Sequence, residues 1–311
     1  MKLATYTRAG RESYGAVLAN GICDIPALWP DGPRTLLKAL QAGPEMMARI
    51  EALAASTRTL LLKDAISLLA PIPAPPKVIG LAGNFVEHVK EIYGAPEIVK
   101  DLRAHTTPRP FLMPTTSVIG PGATIPWPVS SRQLDHEVEL AVVIGKRASR
   151  VSPAEAVACV AGYTIANDIS ARSLTIAEGR SPRPRDEFFD WLNGKWADAF
   201  CPTGPYLITA DEIGDPRQLD MELLVNGETR QKGHTSAMIF DVYEVVSFVS
   251  HLMTLVPGDL IATGTPPGVG LATGKWLQGG DTITCRIEKL GELTNPLGPP
   301  PQEFYTPCKP A

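Results

Sequence analysis

The chain has 311 residues, 44% hydrophobic and 20% charged, enough for one large core with room for a smaller second domain. A formal net charge of −4 with five histidines offers no basic field for nucleic acid, so an anionic ligand would be held by local positive charge. Five dispersed cysteines (Cys23, Cys159, Cys201, Cys285 and Cys308) lack CxxC pairing, which suits a reducing compartment and argues against a disulfide framework or a zinc site.

The N-terminal stretch MKLATYTRAGRESYG has no signal-peptide core, and no run approaches about 18 apolar residues, so a cytoplasmic protein without membrane contact is expected. KLATYTR alternates as a strand, and Asn20-Gly21 between the apolar runs of YGAVLANGICDIPAL marks a hairpin. PRTLLKALQAGPEMMARIEALAAS has helical spacing, interrupted near Gly43-Pro44. Four prolines within residues 71–76 mark a boundary, giving a small N-terminal α+β domain over 1–70 and a larger domain over 71–311.

Beyond it the chain is rich in short strands. FLMPTTSVIGPGATIPWP reads as strands with Pro-Gly turns, and PAEAVACVAGYTIANDISAR runs from a helix into a strand. MELLVNGETRQ is a hairpin on Asn226-Gly227, and AMIFDVYEVVSFVSHLMTL is a helix apolar enough for the core or for a dimer contact. PGDLIATGTPPGVG and GGDTITCRIEKLGEL each start a strand from a Gly-Asp turn. Many strands without βα alternation predict a mostly-β α+β fold, not a parallel doubly wound sheet.

The acids carry the chemistry. Leu140–Ile144 is a five-residue apolar strand, and it begins with Glu137 and Glu139. Alternation places both on one face, their Cβ atoms about 7 Å apart. Carboxylates that close need a cation, a shared proton or open water. Asp168, in YTIANDIS, ends a second apolar strand. Carboxylates and water are what magnesium prefers, and no cysteine ligand competes here. On these residues alone a solvated strand end and a turn aspartate stay open beside a metal site, since spacing cannot show that the three meet.

LDHEVELAVVIGK, GYTIANDISAR, GKWADAFCPTGPYLIT and PGDLIATGTPPGVG, in this order over roughly residues 75–295, resemble the fumarylacetoacetate hydrolase family. The resemblance implies a mixed β-roll catalytic domain, a homodimer, and one divalent ion per site, Mg2+ or Mn2+, held by Glu137, Glu139 and Asp168. GLAGNFVEHVKE resembles the family's Gly-x-Asn-Tyr-x-x-His segment, with Phe85 where tyrosine is common. It implies a lid in which His88 and Glu91, three apart on one helical face, activate water. Lys195 is implied beside the metal, and Thr265 in GTPPG at the substrate. Arg172 is assigned to a substrate carboxylate, with a buried ion pair as the alternative.

Two departures bear on the substrate. Many relatives have SARD followed by glutamine two residues on; this chain has Ser173 and Thr175 there. EGRSPRPRDEFFDWLN is longer than usual and reads as a solvated mobile loop, the alternative being Arg180, Arg183 and Arg185 as a clamp on a distal carboxylate. GVGLATGKW fails as a phosphate loop, because Val269 and Trp276 occupy the required Gly and Ser/Thr, and Thr273 ends the dinucleotide pattern where glycine belongs. The expected function is metal-dependent hydrolysis of the C–C bond in a 2,4-dioxo acid, acylpyruvate- or fumarylpyruvate-like, releasing a pyruvate enolate. The alternatives are an isomerase of the 2-hydroxyhepta-2,4-diene-1,7-dioate type, an oxaloacetate-type decarboxylase, or a non-catalytic binder of small ligands.

Overall fold

The computed structural model describes residues 1–57, 59–62, 65–94 and 102–307, so Cys308 lies outside the described residues. Its strands are, in chain order, β1 (Lys2–Arg8), β2 (Arg11–Leu18), β3 (Gly21–Asp24), β4 (Val78–Leu81), β5 (Pro110–Met113), β6 (Val138–Ile144), β7 (Val160–Asn167), β8 (Cys201–Thr209), β9 (Asp220–Val225), β10 (Glu228–His234), β11 (Leu260–Ala262), β12 (Thr282–Ile287) and β13 (Gly291–Pro296), besides four two-residue strands.

Among the described residues one 11-stranded sheet runs β3-β2-β1-β8-β7-β6-β11-β4-β5, with Ser67–Leu68 on β1 and Val118–Ile119 on β8. A second sheet of four strands runs β10-β9-β12-β13. Pairing is mostly antiparallel; β11 with β4 and Val118–Ile119 with β8 are the parallel ladders. This is the mostly-β, mixed architecture that the sequence predicts. The N-terminal strands enter the large sheet through β1, which pairs with β8 at Lys2↔Ile208 and Leu3↔Leu207.

Strand β6 is apolar without alternation after Glu139 because both of its faces meet a core. Val138, Leu140, Val142 and Ile144 pack with Tyr163, Ile165 and the helix Val242–Leu252. Ala141 and Val143 pack with Leu36, Ala39 and Ile50 from the two N-terminal helices, Leu36–Gln41 and Pro44–Ser56. Those helices divide at Ala42-Gly43, as the sequence pattern predicts. The helix Val242–Leu252 starts in a capping box of Asp241 with Glu244, and it buries Val242, Val245, Val246 and Val249 within this chain.

The hairpin on Asn226-Gly227 is as expected, with Val225 paired to Glu228. The first hairpin differs by one residue: Leu18 pairs with Gly21, so the turn is Ala19-Asn20. Gly21 belongs to the strand because the chain passes close there; a Cβ would lie 2.4 Å from the Leu61 carbonyl oxygen. A second difference concerns residues 178–194, which contain the helix Asp186–Asn193 in place of the expected loop. Arg180 pins it, donating from Nη1 to Asp190 Oδ1 at 2.8 Å and pairing with Asp186 at 3.4 Å. Among the described residues no helix is long and apolar enough to cross a membrane.

Candidate active site

Sheet register brings the acids together. Ala166 of β7 pairs with Glu139 and Asn167 with Val138, so Asp168 falls opposite Glu137. The Asp168 N–H donates to the Glu137 carbonyl at 2.9 Å, and the Glu137 N–H donates to Asn167 Oδ1 at 3.0 Å. One oxygen from each of Glu137, Glu139 and Asp168 lies within 4.8 Å of the others, and all three residues are buried. The solvated strand end that the residues alone left open is thereby excluded.

Lys195 reaches the same point through a close backbone approach. Gly194 follows the helix Asp186–Asn193, and its carbonyl accepts from the Ala171 N–H at 2.9 Å. A Cβ at Gly194 would lie 2.2 Å from the Ala171 carbonyl oxygen, so a larger residue would push the segment outward. The buried Lys195 ammonium donates to Glu137 Oε2 at 2.9 Å and Asp168 Oδ2 at 2.7 Å. Arg172 donates to the other Glu137 oxygen, Oε1, and from Nε to Asp135 Oδ2 at 3.1 Å. The buried ion pair weighed for Arg172 is therefore present, while its guanidinium also lines the cavity.

Two cations thus face four carboxylates, Asp135 included. Burial raises the Glu137 carboxyl, but Lys195, Arg172 and His88 outweigh it and hold the group down at about 2. Asp168 is pushed up to about 6 by burial, with Lys195 opposing and Glu137 adding repulsion. Glu139 is driven well above the usual carboxylate range by burial, then by Asp168 and Glu137; Lys195 and the Gly264 N–H only partly oppose this. Asp168 Oδ1 is buried with no hydrogen-bond partner. An unpaired buried oxygen beside a charge-deficient cluster fits a hard divalent cation, which these three acids would hold.

The helix Val86–Tyr93 supplies a second pair. His88 Nδ1 lies 2.8 Å from Glu91 Oε1, and Glu91 Oε2 accepts from the Gly268 N–H at 2.8 Å. Glu87 and Lys90 pair with each other at 2.6 Å on the exposed side of the helix, so His88 and Glu91 are not part of a solvated face. Asn84 anchors the preceding turn, donating to the carbonyls of Thr263 at 2.8 Å and Phe240 at 3.0 Å. His88, the three acids, Arg172, Lys195 and Thr265 line one cavity of about 450 Å³. Glu91 is bonded to His88 and is not in that lining.

Thr265 is occupied in a brace: its hydroxyl donates to the Val138 carbonyl at 2.9 Å and accepts from Gln231 Nε2 at 2.8 Å. Thr175, at the position where many relatives have glutamine, is buried and donates to the Tyr305 carbonyl at 2.6 Å, away from the cavity. Two residues escaped the sequence reading. Gln231 of β10 spans the two sheets, accepting from the Val138 N–H at 3.0 Å and donating to the Pro266 carbonyl at 2.8 Å. Nothing in its local sequence marks it. Asp135 accepts from the Gly270 and Leu271 N–H groups as well as from Arg172. Its signal was available: it stands two residues before Glu137 in the same alternation.

The sequence model of the fumarylacetoacetate hydrolase C-terminal region matches residues 77–298. A mitochondrial oxaloacetate tautomerase of Rattus norvegicus is 35% identical over 280 residues, covering 89% of this chain and 84% of that protein. The fumarylacetoacetate hydrolase of Exiguobacterium antarcticum superposes with a TM-score of 0.78 at 33% identity, over 96% of this chain and 99% of its own. A maleylpyruvate hydrolase of Sphingobium sp. SYK-6, in complex with manganese(II) and pyruvate, superposes with a TM-score of 0.76 at 29% identity, over 97% and 100%. Matched motifs, matched fold and a converged acidic cluster agree: the chain belongs to the fumarylacetoacetate hydrolase family.

Proposed function

We propose that the protein is a divalent-metal-dependent hydrolase of the C–C bond in 2,4-dioxo acids of the acylpyruvate type. The observation that carries this reading is that His88, held by Glu91 at 2.8 Å, opens on the same cavity as the three acids. Glu137, Glu139 and Asp168 would hold Mg2+ or Mn2+, a Lewis acid for the carboxylate and carbonyl oxygens of a 2-oxo acid. The pyruvate in the Sphingobium enzyme is of this chemical type.

The chain's own groups account for the remaining steps. Glu91 engages His88 Nδ1, leaving Nε2 to take a proton from water. That water adds to the C4 carbonyl, the C3–C4 bond breaks, and its electron pair passes to C3 as the pyruvate enolate. The acyl fragment leaves as a carboxylic acid, and the proton that His88 took from water is returned to C3, which completes pyruvate and restores the neutral imidazole. Lys195, fixed between Glu137 and Asp168, keeps a positive charge beside the developing anion. The complete set His88, Glu91, Lys195 and the three acids argues against a catalytically silent binder.

A second reading, keto–enol tautomerisation of a 2-oxo diacid, is supported by the name and coverage of the rat relative. It uses the same enolate but breaks no carbon–carbon bond. The homodimer is carried from the family resemblance, and sedimentation against the 33.4 kDa chain mass tests it. A cytoplasmic site of action is part of the proposal, although the rat enzyme's name places that protein in mitochondria.

The deciding assay supplies the manganese-loaded protein with acylpyruvates and with oxaloacetate. Metal-dependent release of pyruvate together with the matching carboxylic acid from an acylpyruvate supports the hydrolase, whereas pyruvate and carbon dioxide from oxaloacetate would assign a decarboxylase. Enol–keto interconversion of oxaloacetate without pyruvate release supports the tautomerase, and inactivity in both assays defeats the reading.

A further inference from the structure

The cavity has a charged floor and an aromatic outer wall. From the Lys195 ammonium, the Phe111 ring centroid is 5.8 Å away. Phe111 meets Trp191 edge-on at 4.9 Å, and Trp191 stacks on Phe188 at 6.1 Å with the planes 30° apart. Three rings therefore form one row from the acidic cluster to the surface, where Phe188 is 55% exposed. Phe188 and Trp191 are three apart on the helix Asp186–Asn193, so one helical face presents both to the cavity. Exposed rings at the mouth of a cavity mark a place where an apolar group is bound more readily than elsewhere on a surface.

Charge in this outer region does not favour a second carboxylate. Arg180 engages Asp190 and Asp186 and holds the helix, Arg183 is 80% exposed with Asp186 at 3.7 Å, and none of Arg180, Arg183 and Arg185 lines the cavity. Arg109 and Glu187 both line the cavity, one charge of each sign. A volume of about 450 Å³ lies within the range of roughly 300–1,000 Å³ that takes drug-sized ligands, more than a four-carbon diacid fills.

We propose that Phe111, Trp191 and Phe188 form a subsite for an apolar, preferentially aromatic, group at the end of the substrate away from its 2-oxo carboxylate. The inference rests on the oxo-acid reading above and narrows its substrate class. Stacking on Trp191 would replace water on both surfaces, while the carboxylate end sits at the acids and Lys195.

Calorimetry tests it with 2-oxo-4-phenylbutanoate and 2-oxoadipate, on the manganese-loaded protein and after chelation. The phenyl acid is expected to bind about tenfold more tightly than the diacid, and Trp191→Ala to weaken it about tenfold while changing the diacid less than about twofold. Phe188→Ala, at an exposed position, is the second variant and is expected to weaken the phenyl acid about threefold without lowering the melting temperature. Tighter binding of the diacid, no binding of the phenyl acid, or equal losses for both acids in both variants would overturn the subsite. If the phenyl preference survives chelation unchanged, the subsite stands and the metal reading fails. If both acids need metal but neither is preferred, the metal reading stands and the subsite fails.

Discussion

Asp168 and Glu137 face each other across adjacent strand ends, joined by the 2.9 Å bond from the Asp168 N–H to the Glu137 carbonyl and by the shared Lys195 ammonium. The two carboxyls nevertheless differ, Glu137 held at about 2 and Asp168 raised to about 6. Both are buried, so the difference comes from partners: Glu137 is bonded to Lys195 and Arg172 and also feels His88, whereas Asp168 is bonded to Lys195, feels Arg172 without a bond to it, and has one oxygen with no partner.

The imbalance makes Glu139 the acid whose removal separates metal binding from folding. Glu139→Gln keeps an oxygen for the Gly264 N–H and removes a repelling carboxyl. The metal-free protein is expected to hold its stability or gain up to about 2 kcal/mol in urea titration. Manganese affinity is expected to fall at least about 100-fold. Unchanged affinity would contradict the ligand assignment.

Metal affinity should depend on pH in a stated direction. A proton on Asp168 competes with the cation, so affinity falls as pH drops through about 6, and Glu139, whose carboxyl burial also raises, acts in the same direction. The slope is expected to reach about tenfold per pH unit for each proton displaced. A flat profile across that range, measured by calorimetry in two buffers, would show that no proton leaves when the ion binds.

His88→Ala is expected to lower kcat for acylpyruvate hydrolysis by about 10²–10⁴ while leaving manganese affinity within about threefold. Glu91→Gln keeps an acceptor for the Gly268 N–H and should lower kcat less, because it orients His88 without reaching substrate. Equal loss of metal affinity and turnover in His88→Ala would assign the imidazole to the metal instead of to water.

Gly194→Ala tests the route by which Lys195 is delivered. The φ of Gly194 is −64°, open to any residue, so the cost is steric and not conformational. With a Cβ 2.2 Å from the Ala171 carbonyl oxygen, the segment must shift, and a loss of about 1–3 kcal/mol is expected in urea titration. Turnover should fall with it as Lys195 leaves Glu137 and Asp168. Wild-type stability and turnover together would show that the close approach is not required.

The strand β6, the turn at Asn226-Gly227, the break between the N-terminal helices and the common face of Glu137 and Glu139 were legible in the sequence. Each is written in neighbouring residues: an apolar run, a turn pair, a Gly-Pro step, a period of two. Asp168 stood out as an acid at the end of a second apolar strand, and family motifs added His88, Glu91 and Lys195 as candidates, but no local pattern says that they meet. That was decided by strand register, which puts Asp168 opposite Glu137, and by a glycine-permitted approach that brings Lys195 between them. Gln231, the part of Asp135 in holding Arg172, and the ring row from Phe111 to Phe188 became visible only in three dimensions. Backbone periodicity is set by sterics over a few residues, whereas the convergence of charges and rings depends on packing between segments far apart in the chain.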